Sequence, residues 1–187
     1  MTRLVDPHVR YQRSYLDASD EFAASGDTRD GDGLWQEEAE GGYTGFVFTR
    51  ARLEDRAAFE AFVAHRRRAR EADAPRRPGW VPCTFLWITD DADTYVGSLA
   101  IRHQLNDYLF TKGGHIGYSV RPSARRQGHA TAALRRSLKA ARERLGLERV
   151  LVTCAEDNPA SRTVIEACGG TYEDSREHTR RYWITTS

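Results

Sequence analysis

One segment constrains the fold of this chain more than any other: Val120-Arg121-Pro122-Ser123-Ala124-Arg125-Arg126-Gln127-Gly128-His129-Ala130-Thr131. Before it, His115-Ile116-Gly117-Tyr118-Ser119-Val120 has the β-branched and aromatic residues of a strand. After it, Ala130, Leu134, Leu138, Ala141 and Leu145 step by three or four. That spacing predicts an amphipathic helix from about residue 127 to 145, with Gly146 placed to end it. A strand that passes through a short connection into such a helix belongs to a mixed α/β sheet. Pro122 ends the strand, and Gly128 with small Ala130 lets the backbone approach a ligand. Successive exposed amides and the positive end of the helix dipole then form an anion site. Arg125 and Arg126 add bidentate phosphate donors. Arginines at a helix start are electrostatically unfavourable unless an anion comes between them and the dipole. The segment lacks the spacing and lysine of a P-loop, and it is not a dinucleotide-binding glycine triplet.

The remainder reads as one domain. The chain has 187 residues, enough to bury a core without staples. Helices are expected over residues 9–24 and 53–72. The basic run Arg66-Arg67-Arg68-Ala69-Arg70 closes the second as a solvated end. The Gly- and Asp-rich residues 25–45 read as a mobile loop. Their spacing lacks the closing glutamate of a calcium loop. Residues 83–88 and 95–102 form a hairpin around Asp90–Asp93. Val150–Cys154 is a buried strand. Asn158 caps a helix with Pro159 at its first position, and Gly169-Gly170 ends it. Residues 171–173 and 181–184 are closing strands.

Composition narrows the function classes. Net charge is +1, from 28 Lys and Arg against 27 Asp and Glu. That balance argues against a nucleic-acid binder. No apolar run reaches the roughly 20 residues of a membrane span, and no secretory leader is visible at the N-terminus. Cys83, Cys154 and Cys168 are too widely spaced for a disulfide scaffold or a Cys-x-x-Cys metal cluster. They read as core residues. A cytoplasmic protein without a metal is expected.

Arg125-x-x-Gly128-x-Ala130 resembles the pyrophosphate signature of the GCN5-related N-acetyltransferases. Gly114–Val120 resembles that family's central strand, and Asn158-Pro159-Ala160-Ser161 with Gly169-Gly170 resembles its second cofactor segment. The likeness covers about residues 83–185, in the family's order. It implies a single α/β domain with a mixed, mostly antiparallel sheet, splayed middle strands and flanking helices. Residues 83–187 would form the acetyl-CoA-binding core and residues 1–82 an N-terminal helical, acceptor-side part. The resemblance implies acetyl-CoA as co-substrate, held by Ser119, Val120, Arg121, Arg125, Arg126, Gln127, Gly128, His129, Ala130, Thr131, Asn158 and Ser161. It implies acetyl transfer to an amine of a small molecule or peptide in a ternary complex, and homodimers by analogy. A non-catalytic acyl-CoA-binding module is the alternative.

The chemistry sets its own demands. An alkyl amine is mostly protonated at neutral pH, so a base must take its proton. An oxyanion needs a backbone donor, expected at Val120. His115 is the first candidate base, with Glu156 and Asp157, just past a buried strand, next. Family members often carry a tyrosine acid seven residues after the Asn, where this chain has Ile165. Tyr182 and Tyr172 are the downstream candidates. Arg102, His103 and Asn106 follow a strand and are expected to line the acceptor pocket.

Overall fold

The computed structural model describes residues 1–186. The chain runs β1 (Arg3–Val5), α1 (Gln12–Ser25), β2 (Gln36–Glu37), β3 (Phe46–Val47), α2 (Arg56–Arg68), β4 (Cys83–Thr89), β5 (Tyr95–Arg102) and β6 (Ile116–Val120). It continues through α3 (His129–Leu145), β7 (Arg149–Ala155), α4 (Pro159–Ala167), β8 (Thr171–Arg176) and β9 (Thr179–Thr185). Local chemistry sets the helix ends. Asp55 accepts the Ala58 amide at 2.9 Å to start α2, and Asn158 accepts the Ser161 amide at 2.9 Å to start α4. Gly26 and Gly146, both left-handed, close α1 and α3.

Seven strands build one sheet in the order β1-β4-β5-β6-β7-β9-β8. Neighbours are antiparallel except β6 and β7, which are parallel. This is the mixed, mostly antiparallel sheet expected. β6 keeps its register with β5 from Ile101–Ile116 to Gly97–Val120. β7 keeps its register with β9 along its whole length. Between them, only Ile116 and Val152 are matched. The two middle strands follow different partners and part beyond that point.

Strand alternation sorts the core into two layers. Ile116, Val150, Val152 and Tyr182 pack with Leu134 and Leu138 of α3 and Ile165 of α4. Full burial of such side chains stabilises by about 1.5–3 kcal/mol each. On the opposite face, Trp87 and Tyr95 meet Tyr15, Phe59 and Phe62 of α1 and α2 in an aromatic layer.

Two expectations are corrected here. Residues 25–45 do not form a mobile loop throughout, because residues 29–33 lie as a strap across the sheet. A Cβ on Gly31 would run into the Gly117 carbonyl oxygen of β6, and one on Gly33 would come within 2.8 Å of the Phe85 ring of β4. The anchor is polar. Buried Asp32 accepts from the Tyr15 hydroxyl at 2.7 Å, Ser98 Oγ at 2.8 Å and Trp35 Nε1 at 3.1 Å, and pairs with Arg29 at 3.3 Å. Burial opposes its charge, yet Arg29, Arg66 and these donors hold the carboxyl below its usual range. The second correction concerns Arg66, which is buried rather than solvated. Its Nη2 donates to the Leu34 carbonyl at 2.5 Å, and its guanidinium lies 4.6 Å from the Phe62 ring centre. Arg67 and Arg68 are exposed as expected.

Candidate active site

The turn into α3 forms a cradle of backbone amides. A 3-10 turn at Pro122–Ala124 uses the Ala124 and Arg125 amides. Arg126 and Gly128 then adopt left-handed backbone, at φ +61° and +83°. From Arg126 through Thr131, six consecutive amides make no hydrogen bond among the described residues. A Cβ on Gly128 would meet nothing within 4 Å, so the space before them is open. Such a run of donors at a helix N-terminus attracts an anion.

The arginines of this turn divide their work. Arg126 makes no ion pair among the described residues and is exposed. Arg125 donates to the Val120 carbonyl at 3.1 Å and to Asp27 at 2.8 Å. Arg121 is drawn back to Glu21 of α1, with Nη2 at 2.5 Å and Nε at 3.1 Å. Arg121 and the Ser123 donors hold the Glu21 carboxyl down at about 2. Arg121 therefore fastens α1 to the turn. Gln127 Nε2 donates to the Ser123 carbonyl at 3.3 Å, and His129 Nδ1 lies 2.9 Å from Thr2 Oγ1.

The cradle opens onto the gap between β6 and β7. The Arg121 amide donates to the Val96 carbonyl at 2.8 Å. Antiparallel alternation then turns the Ser119 amide toward β5 and the Tyr118 and Val120 amides toward the gap. The Ser119 hydroxyl is buried without a partner. Tyr118 reaches across the gap, its hydroxyl 2.9 Å from Ser161 Oγ in the first turn of α4. Burial pushes its phenol well above the usual range. Sequence reasoning missed Tyr118. The available signal was its alternation with Ile116 and Val120 on the α3 face.

The expected catalytic side chains are not gathered at this gap. His115 Nδ1 accepts the Leu151 amide at 2.9 Å, while the His115 amide donates to the Leu151 carbonyl at 2.7 Å. The ring proton therefore sits on Nε2, and no lone pair is left to receive a substrate proton. Burial, with Arg102 nearby, holds its titration down at about 4. In this structure the expected base His115 ties β6 to β7. Tyr182, the expected downstream acid candidate, is engaged elsewhere. It is fully buried with α4, its hydroxyl 2.7 Å from Arg180 Nε and 3.3 Å from Glu166. Ile165 is buried in the same layer. Glu156 lies on the exposed turn after β7, 3.5 Å from His178 Nδ1.

The expected acceptor residues mostly brace a loop. His103 Nε2 lies 2.8 Å from Thr84 Oγ1. Asn106 donates to the Gly79 carbonyl and accepts the Leu109 amide, both at 2.8 Å. Arg102 differs: Nη1 donates to the Gly113 carbonyl at 2.9 Å, and the guanidinium lies over Gly117 of β6. Among the described residues, no cluster of three His, Cys, Asp or Glu is arranged to hold a metal, and no helix is long and apolar enough to cross a membrane.

The fold is a mixed sheet with parted middle strands and a turn of unengaged amides beside their open end. A family model described as an acetyltransferase (GNAT) domain matches residues 34–171, and the chain belongs to that family. No curated protein sequence matches it. Among solved structures, it is similar to a putative ribosomal-protein-serine acetyltransferase from Vibrio cholerae (15% identity, TM-score 0.61). That match covers 98% of this chain and 93% of the other. A microcin self-immunity acetyltransferase, solved with acetyl-CoA and AMP, matches at 13% identity and TM-score 0.60 over 98% and 92%. A dodecameric spermidine N-acetyltransferase from Vibrio cholerae matches at 15% and 0.59 over 100% and 94%.

Proposed function

We propose that this protein transfers the acetyl group of acetyl-CoA to an amine of a small molecule or peptide, directly and in a ternary complex. The observation that carries this reading is the run of six unengaged amides from Arg126 to Thr131, open to solvent at the start of α3. It suits a pyrophosphate, with Arg126 as the free cation and Arg125 released from Asp27 when the anion arrives. The Tyr118 and Val120 amides facing the gap suit the pantetheine arm and a carbonyl oxygen that gains negative charge. Acetyl-CoA supplies an acetyl group activated as a thioester. Residues 83–187 hold this co-substrate, and residues 1–82 form the acceptor side. Asn158 and Ser161 act here through the α4 cap and the Tyr118 contact.

A non-catalytic acyl-CoA-binding module is the second reading. It is favoured by Ile165 at the expected acid position and by the occupied lone pair of His115. Calorimetric titration with acetyl-CoA, CoA and ATP tests the shared core of both readings. One-site binding of acetyl-CoA and CoA but not ATP is expected. Gly128→Glu should abolish it, since the new side chain places a carboxylate in the anion space, while stability falls only by the left-handed backbone penalty of about 1–2 kcal/mol, which Gly128→Ala measures separately. Absence of wild-type binding at millimolar ligand, or normal binding by Gly128→Glu, overturns the cradle. Thiol release in the presence of primary amines separates the transferase from the binding module.

A further inference from the structure

The fold leaves one carboxylate unengaged where β6 and β7 begin to part. The strap carries Arg29, Asp30 and Asp32 in close succession. Arg29 and Asp32 are committed to each other and to the aromatic layer. Asp30 makes no hydrogen bond or ion pair among the described residues; the residue is exposed as a whole, but its carboxyl is partly shielded from water. Its neighbour's contact fixes its place. The Gly31 nitrogen, which closes the Asp30–Gly31 peptide, lies 3.5 Å from where a Cβ on Gly117 would stand. Arg102 Nη1 and Nη2 lie 3.2 and 3.5 Å from the same point. Gly117 follows Ile116, the residue matched to Val152 of β7. Asp30 therefore stands beside the apex of the gap, on the face opposite α3 and α4.

We infer that Asp30 receives the amino group of the acceptor and takes its proton during acyl transfer. This rests on the acetyl-transfer reading. The acceptor arrives as an ammonium and first gives one proton by way of Asp30 to solvent, which frees its lone pair. Nitrogen then bonds to the acetyl carbon while the carbon–sulfur bond breaks, and its second proton goes to a carboxylate oxygen of Asp30. Sulfur leaves with the electron pair and takes a proton from water, and the hydroxide so formed is neutralised by the proton Asp30 gives up. The surrounding charges suit this task. Arg102 of β5 is held by the Gly113 carbonyl, Tyr118 of β6 is neutral, and Arg29 and Asp32 of the strap offset one another. Arg102 keeps its positive charge beside Asp30, so Asp30 offers an amine an acceptor oxygen with no hydrogen-bond partner rather than a net negative field. Packing around its carboxyl raises it above the usual range against the pull of Arg102, which makes it a better base than an ordinary carboxylate.

Asp30→Asn in the full chain tests the inference with three readouts. Acetyl-CoA affinity and Tm should match the wild type, because Asp30 lies outside the pyrophosphate cradle. The rate of thiol release with a panel of aliphatic primary amines should fall by about 10²–10⁴-fold. The low-pH limb of the rate profile should vanish with it, and Asp30→Glu should recover part of the rate. Independently of turnover, carboxyl ¹³C titration should show a signal absent from the variant, with a midpoint above the ~3.9 of a free aspartate. An undiminished rate, or a midpoint at or below ~3.9, overturns the role of Asp30 and leaves acetyl transfer standing. A Tm and an acetyl-CoA affinity that fall together would make Asp30 structural and also overturn it. Wild-type protein that binds acetyl-CoA yet releases no thiol with any amine overturns both.

Discussion

Asp30 and Asp32 sit two residues apart in one Gly/Asp run, and no local property separates them. Tertiary surroundings do. Asp32 is closed in by Tyr15, Trp35, Ser98 and Arg29, whereas Asp30 faces solvent at the apex of the gap. Removing one partner of a buried ion pair leaves the other charge without compensation. Asp32→Ala should therefore cost about 3–5 kcal/mol, while Asp30→Ala should stay within about 0.5 kcal/mol. Urea unfolding of the two variants checks this, and equal midpoints would refute the polar anchor. The same limit hid the role of His115. Its position before a central strand was readable, but the Leu151 amide that occupies its lone pair lies 36 residues away.

At the scale of elements, the strap behaves as a tertiary component with no secondary structure of its own. Gly31 combines φ +81° with backbone contact on two strands, Gly117 of β6 and Leu99 of β5, whose Cα lies 3.0 Å from its would-be Cβ. Gly26 has φ +70° and open space. Gly31→Ala must lift the strap and should cost about 2–5 kcal/mol, from overpacking added to backbone strain. Gly26→Ala should cost only the left-handed penalty of about 1–2 kcal/mol. Thermal unfolding of the pair compares them, and a similar loss in both would mean the strap does not bear on the sheet. The helices and the β4–β5 hairpin were legible because their periodicity, caps and turn residues are local. The strap was not, because its anchors are single polar contacts to distant strands.

For the whole molecule, pH reports how these parts hold together. His65 and His115 are pushed down to about 4, chiefly by burial. In the unfolded chain they titrate near 6.5. Between those values the unfolded state binds more protons, so their contribution is complete above about pH 6.5 and is lost as pH falls toward 4. Glu21, held at about 2 by Arg121, adds stability that is lost from about pH 4.5 downward. Tm should fall in these two successive windows, and His115→Gln should flatten the first. A Tm that stays level from pH 7 to 4.5 would refute the two neutral histidines. The amino-acid sequence by itself determined the strand–turn–helix unit around Gly128, the order of elements after residue 83 and the family they identify. All of these rest on spacings of a few residues, where backbone geometry and side-chain periodicity act directly. Tertiary structure alone decided which arginine stays free, where His115 spends its lone pair and which aspartate of the strap meets the gap. Those outcomes depend on burial and on partners brought together from distant parts of the chain, and desolvation makes each of them nearly all-or-none.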